Sequence, residues 1–115
     1  MSECIFCDIV AGKVPAEKVY EDSSILAFND INPQVPIHIL IVPKDHIGSV
    51  VDIDNNHIDI LGKLILAAKK VAENQNIAEK GFRIIVNSGK DGGQLIEHLH
   101  LHLLGGKHLG PKIVV

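Results

Sequence analysis

The sequence predicts an α+β domain: an antiparallel sheet of about five strands, one long helix and a short N-terminal helix. Three observations predict it. Short apolar runs of strand character flank a single long amphipathic stretch on both sides, without the regular alternation of a doubly wound sheet. Pro and Gly fall between these segments as punctuation rather than in tracts. The 115 residues, 46% hydrophobic and 22% charged, suffice for one core and leave no room for a second, so residues 1–115 are read as one domain.

The opening run Cys4-Ile5-Phe6-Cys7-Asp8-Ile9-Val10 spaces Phe6, Ile9 and Val10 as a short helix does, and Gly12 lies near its expected end. Cys4 and Cys7 would then share one face. Lys18 to Tyr20, Ile25 to Phe28 and Ile37 to Val42 read as strands, with a turn at Glu21-Asp22-Ser23-Ser24 and a loop at Asn32-Pro33-Gln34. Pro43 closes the third strand. From about Asn55 to Asn74, Ile58, Leu61, Leu64, Ile65, Ala68, Val71 and Ala72 recur at helical steps, which predicts a helix with one buried face and Asp54 or Asn55 as N-cap. Phe82 to Asn87 reads as a strand, Gly89 to Gly93 as its turn, and about Ile96 to Leu104 as the last strand.

A formal charge of -3, from 11 basic and 14 acidic side chains, argues against a nucleic-acid partner, and four aromatic residues make a poor stacking platform for single strands. No apolar run reaches the roughly 18 residues of a membrane span, and Met1 to Cys7 lacks the regions of a secretory signal. No membrane partner and a cytoplasmic location are therefore expected. In that compartment Cys4 and Cys7 stay reduced, and their C-x-x-C spacing points to metal or redox chemistry before a structural bridge.

Seven histidines are the compositional oddity, and three of them form the run His98-Leu99-His100-Leu101-His102. In a strand alternate side chains share a face, so the imidazoles line one side while Leu99, Leu101 and Leu103 face the core. Neighbouring imidazoles then stand about 6 to 7 Å apart, close enough to converge on one small group such as a phosphoryl. Two chemistries fit: a zinc held by H-x-H ligands with an activated water, or attack by a histidine nucleophile. The triplet alone does not separate them, and a solvent-facing strand carrying histidines is the third reading. Gly92-Gly93-Gln94 offers backbone N–H groups with little steric cover, suited to an anion beside His100, and a glycine pair is equally the turn of a hairpin.

The run His98-x-His100-x-His102-Leu103-Leu104, preceded by Asp91-Gly92-Gly93-Gln94, resembles the signature of the histidine triad (HIT) superfamily. Val14-Pro15-Ala16, Val19-Tyr20-Glu21-Asp22, Leu26-Ala27-Phe28-Asn29-Asp30-Ile31 and the stretch from Pro33 to Lys44 fall in register with it, so the resemblance spans nearly the whole chain. Leu104-Gly105-Gly106 and Leu109-Gly110-Pro111 make it most similar to the Hint branch, the purine nucleoside phosphoramidases.

That resemblance implies a HIT-like fold and a hydrolase that cleaves the P–N bond of purine nucleoside phosphoramidates through a nucleotidyl-histidine intermediate, with no cofactor required for the chemistry. It implies His100 as nucleophile, with His98, His102 and His38 orienting and polarising around it. It implies Asp30 at the ribose hydroxyls, with Ile5, Phe6, Ile9, Phe28, Ile31 and Leu40 around the base, residues that are equally good core. Asn87, Gly93 and Gln94 would meet the phosphate or leaving group, and Asn29, Leu95 and Ile96 complete the nucleotide site. Leu95 stands where many relatives carry serine, Glu97 replaces a frequent aromatic, and Asn29 lies where histidine or arginine is often found.

Cys4 and Cys7 resemble the C-x-x-C of those bacterial members that hold zinc, which implies a structural site of Cys4, Cys7, His46 and His98; the alternative is two half-buried helix residues and a surface histidine. A homodimer through the long helix and the C-terminal region is also implied. Sister-branch activity on dinucleoside polyphosphates, or a nucleotide-binding module with weak catalysis, are the competing functions. His57 and His108 are left as solvated residues.

Overall fold

The computed structural model describes residues 4–111. Residues 1–3 and 112–115, which include part of the opening segment and of the C-terminal region expected to meet a second copy, lie outside it. The chain runs through helix α1 (Ile5–Val10), strands β1 (Lys18–Glu21), β2 (Ile25–Asn29) and β3 (Ile37–Pro43), helix α2 (Ile58–Asn74), and strands β4 (Arg83–Ile85) and β5 (Leu101–Gly105). The strands form one five-stranded sheet in the order β1-β2-β3-β5-β4, with every neighbouring pair antiparallel.

Side chains alternate across a strand, so this sheet has two apolar faces and two cores. On one, Ile25, Ala27, Ile39, Ile41, Leu101 and Leu103 pack under α2, which contributes Leu64, Ala67, Ala68, Val71 and Ala72. The three alanines let the helix axis approach the sheet closely, and each fully buried Leu or Val adds about 1.5–3 kcal/mol. On the other face Leu26, Phe28, Leu40 and Val42 pack against Phe6 and Ile9 of α1. The two helices differ in reach. Seventeen residues of α2 roof one face, whereas the six residues of α1 cover only part of the other. The uncovered part is where a ligand can enter.

Three boundaries differ from expectation. The long helix begins at Ile58, because Asp54 caps a separate 3-10 turn over Asn55–His57, its Oδ1 accepting the Asn56 N–H at 2.8 Å. His57, expected to be solvated, accepts the Asp54 N–H at its Nδ1 at 3.0 Å and so closes a capping box. The last strand starts at Leu101 rather than Ile96: the Leu99 N–H donates to the Ile47 carbonyl at 2.6 Å, outside the sheet, and His98 N–H turns back to Ile96. The fourth strand is likewise trimmed to Arg83–Ile85, since only these residues have partners in β5.

Candidate active site

The histidine run keeps its alternation although only its second half is strand. Leu99, Leu101 and Leu103 enter the core under α2, while the imidazoles emerge on the α1 face. His38 joins them from β3, where it shares a face with Leu40, and Leu40 lies directly opposite His102 in the sheet. His38 and His102 therefore meet across two adjacent strands, with His38 Nε2 2.9 Å from His102 Nδ1.

The hydrogen-bond partners assign every proton in this group. A carbonyl only accepts, so His100 Nδ1, 2.6 Å from the His98 carbonyl oxygen, carries its proton and Nε2 keeps a free lone pair. The Gln34 backbone N–H donates to His38 Nδ1 at 3.1 Å, which leaves the His38 proton on Nε2. That proton is shared between His102 Nδ1 and Asp30 Oδ2, 3.3 Å away. His102 Nδ1 is therefore an acceptor, and in the neutral ring its proton sits on Nε2. Burial holds His100 below the ordinary imidazole range. Burial, reinforced by the neighbouring His100 and His38 rings, pushes His102 down to about 4. Both rings are neutral at pH 7, one presenting a lone pair and the other an N–H.

His100 and His102 line a cavity of about 470 Å³, within the range of small-molecule sites. Ile5, Phe6 and Ile9 of α1 form one wall, Phe28 and Leu40 the sheet side, and the segment from Asn29 through Asp30 and Ile31 the far rim. Asn87, Gly93, Leu95 and Ile96 complete it. Phe6 stands edge-on to His100, with ring centroids 5.1 Å apart at 87°, which fixes the imidazole plane. Val14, Pro15, Ala16 and Asn32 also line the cavity. Sequence reasoning gave them no ligand role, and the Val14-Pro15 step is the signal that marked their segment.

Two expected site residues turn elsewhere. Gln94 does not line the cavity: its Nε2 donates to the carbonyls of Gly48 and Ile96, at 2.8 and 2.9 Å, and its Oε1 accepts the Gly89 N–H. The N–H groups of Gly93 and Gln94, expected to cradle an anion, donate within the turn to Lys90 and Gly89. The glycine pair serves that turn. A Cβ on Gly92 would lie 2.4 Å from the Ser88 carbonyl oxygen, and Gly93 has φ +84°. The amide of Asn87, 2.7 Å from the Gly92 carbonyl, holds the turn against the cavity.

His98 is the other. Its ring is fully buried and faces away from the cavity, donating from Nε2 to the Pro43 carbonyl at 2.8 Å. Nδ1 is thereby left as a lone pair, 3.3 Å from Cys4 Sγ and 3.6 Å from Cys7 Sγ, while His46 Nδ1 lies 3.4 Å from Cys7 Sγ. The four donor atoms lie within 4.8 Å of one another. A tetrahedral centre with Zn–S near 2.3 Å and Zn–N near 2.0–2.1 Å places sulfur and nitrogen about 3.5 Å apart, so the geometry fits that ion. The buried His98 carries the carbonyl partner typical of a metal-ligating imidazole. Burial, with Cys4 beside it, raises the Cys7 thiol to about 11, a penalty that a cation reverses. The N-cap position of Cys4 brings the two sulfurs together, since its Sγ accepts the Cys7 N–H at 3.3 Å.

A family model for the HIT domain matches residues 11–109. The chain belongs to the HIT family. The purine nucleoside phosphoramidase of Escherichia coli (strain K12) is 46% identical over 111 residues, covering 96% of this chain and 93% of that protein. A 14 kDa zinc-binding protein of Brassica juncea is 44% identical over 109 residues, covering 93% and 96%. Among solved structures, a HIT family hydrolase from Clostridium thermocellum superposes with a TM-score of 0.96 at 47% identity, covering 99% of each chain. The chain forms an antiparallel five-stranded sheet with His102 in its strand β5, and among the described residues no helix is long and apolar enough to cross a membrane.

Proposed function

We propose that this chain is a purine nucleoside phosphoramidase, which hydrolyses the P–N bond of nucleoside 5′-phosphoramidates to a nucleoside monophosphate and an amine. The observation that carries the proposal is the pair of opposed tautomers: His100 aims a lone pair into the cavity and His102 an N–H. A displacement at phosphorus needs both, a nucleophile on one side and a donor to the charged oxygens on the other. The 46% identity to the E. coli phosphoramidase supports the choice of substrate class.

The base enters between Phe6, Ile9, Phe28 and Leu40, and Asp30 receives the ribose hydroxyls at the rim. His100 Nε2 attacks phosphorus and the P–N bond breaks, the amine nitrogen taking a proton from solvent. The imidazolium that forms keeps its Nδ1–H on the His98 carbonyl, which spreads the positive charge. His102 Nε2–H and the Asn87 amide meet the phosphoryl oxygens. Water then attacks the nucleotidyl-histidine, its proton passes to solvent, and the neutral ring is regenerated. Asp30, through His38, keeps the His102 N–H aimed inward.

Cys4, Cys7, His46 and His98 hold a structural zinc, which cross-links α1 to the segments after β3 and before β5. The name of the Brassica juncea relative supports this reading. Reduced thiols are consistent with a cytoplasmic protein. A homodimer forms through α2, whose Ile58, Ile65 and Leu66 leave more than half of each side chain in solvent. Sedimentation equilibrium at micromolar concentration should give twice the chain mass, and an Ile65→Asp/Leu66→Asp variant the single mass; a monomeric wild type overturns the dimer.

The deciding assay is amine release from adenosine 5′-phosphoramidate by wild type and His100→Ala, with and without chelator. Turnover that survives chelation and vanishes in the variant supports the reading. Turnover abolished by chelation in a folded protein indicates a metal-bound hydroxide instead. Cleavage of a diadenosine polyphosphate but no phosphoramidate assigns the chain to P–O chemistry.

A further inference from the structure

The two residues enclosed by the Cys4-x-x-Cys7 motif are Ile5 and Phe6, and both line the nucleotide cavity. Phe6 is the packing partner of two histidines, edge-on to the His98 ring with centroids 5.9 Å apart and to the His100 ring at 5.1 Å. Cys4 caps this first turn of α1, its Sγ accepting the Cys7 N–H at 3.3 Å. A change at the two sulfurs is therefore a change in one wall of the site.

The sulfurs are placed to react with each other. Both cysteines are reduced, and their Sγ atoms lie within 4.8 Å of one another. Cys4 is half-buried and, with His46 and Glu97, lines a separate cavity of about 580 Å³, which gives a small solute access to its sulfur. A C-x-x-C pair that opens a helix has the spacing of dithiol–disulfide motifs. Where thiols are otherwise kept reduced, such bridges are transient and sense oxidants.

We infer that Cys4 and Cys7 are a reversible oxidation site: hydrogen peroxide closes a bridge between them, and the bridge, formed around Ile5 and Phe6, weakens nucleotide binding. The Cys4 thiolate attacks one peroxide oxygen, the S–O bond forms as the O–O bond breaks, and hydroxide leaves. The Cys7 thiolate then attacks the sulfenic sulfur, the S–S bond forms as the S–O bond breaks, and a second hydroxide leaves. Two solvent protons turn both hydroxides into water; the sulfurs lose two electrons and the peroxide gains them. Once bridged, the sulfurs are no longer anionic ligands, and His98 Nδ1 and His46 Nδ1, 3.3 and 3.4 Å from them, cannot hold a cation with them. The link from α1 to His98 is lost, and Phe6 leaves its seat against His100. The affinity effect rests on the nucleotide reading of the cavity; the oxidation does not.

The test treats the protein as purified with hydrogen peroxide and then with dithiothreitol. Each stage is read by tandem mass spectrometry of the peptide spanning Cys4 and Cys7, by the imidazole ¹⁵N signals of His98 and His100, and by the Kd of adenosine monophosphate. Peroxide should remove two hydrogens from the peptide, shift both histidines and raise Kd about tenfold, the scale of one lost aromatic contact; dithiothreitol should restore all three. In Cys7→Ser peroxide should leave a sulfenic acid on Cys4 that dimedone traps, with Kd changed less than about twofold. Thiols that survive peroxide, a sulfinic acid in place of the bridge, or a bridge between two chains overturn the site. A bridge that leaves His100 and Kd unchanged, or an equal loss of affinity in Cys7→Ser, overturns its hold on the cavity. Reduced protein that binds no nucleotide, yet closes the bridge and shifts His100, sustains the switch and overturns the nucleotide reading instead.

Discussion

The carbonyl oxygen of His98 lies 2.6 Å from Nδ1 of His100, and this bond decides which nitrogen of His100 is free to react. The same residue points its ring the other way, into the Cys4–Cys7 cluster. Backbone and side chain of His98 thus join the proposed zinc centre to the proposed nucleophile.

Removing that nucleophile should be close to complete in effect. His100→Ala is expected to lower kcat by at least about 10³-fold, as losses of covalent nucleophiles do. Mass spectrometry of wild type quenched in a single turnover should find a nucleotidyl adduct on His100, and an adduct on His102 instead would exchange their roles.

His38 is a positioning residue. Its Nε2–H holds His102 Nδ1 as an acceptor, so His38→Asn lets His102 take either tautomer. The expected loss is roughly 10- to 100-fold in kcat with KM changed less than about threefold, since the donor is misdirected rather than removed. A rise in KM alone would assign His38 to substrate binding. Imidazole ¹⁵N shifts of His102, which distinguish the two tautomers, provide a readout that a structural role would not move.

Zinc removal should act on stability first. Protein purified without added metal should contain equimolar zinc, and Cys4→Ser/Cys7→Ser should contain almost none. Loss of a cross-link between α1 and the triad segment is expected to lower the melting temperature by at least about 5 °C. The ¹⁵N signals of His98 should shift with it. Metal-free wild type that melts at an unchanged temperature would sink the structural role.

Acid should destabilise this fold earlier than its carboxylates require. His102 titrates at about 4 in the fold against about 6.5 for a free imidazole, so the unfolded chain binds the extra proton first. Stability is complete above the unfolded value and is lost as pH falls through that window toward the folded one. Allowing for partial solvent access, the loss is on the order of 2 kcal/mol, and the depressed His98 and His100 add in the same direction. Denaturant midpoints measured from pH 7.5 to 4.5 should fall steeply in wild type and less steeply in His102→Asn. Equal slopes would remove His102 from the explanation.

The local chemistry of the chain is legible wherever it depends on period and spacing. Alternation across His98 to Leu103 separates imidazoles from leucines whether or not the backbone is paired, so misplacing the strand start by five residues leaves the two faces correct. The three- and four-residue apolar steps of α2 mark Leu64, Ala68, Val71 and Ala72 as buried, whereas Ile58 and Ile65 of the same series stand largely in solvent, on the part of the helix turned away from the sheet. The resemblance of the triad run places most of the cavity lining in advance.

Other features depend on contacts no local pattern encodes. The tautomer of His102 is set by a residue 64 positions away, and that of His38 by a backbone N–H in a loop. Gln94 looks like an anion ligand in sequence and is spent on Gly48, because the turn must be fastened to the segment after β3. His98 looks equivalent to its two neighbours, yet the bend at Ile96 to His98 carries its ring into the cysteines. By itself the sequence determined the fold class, the two faces of the histidine run and the residue types at the site, since these follow from side-chain periodicity and spacing. Only the tertiary structure decided which nitrogen attacks, which one donates and which histidine leaves the site, because a proton's place on a ring is fixed by the partner opposite it.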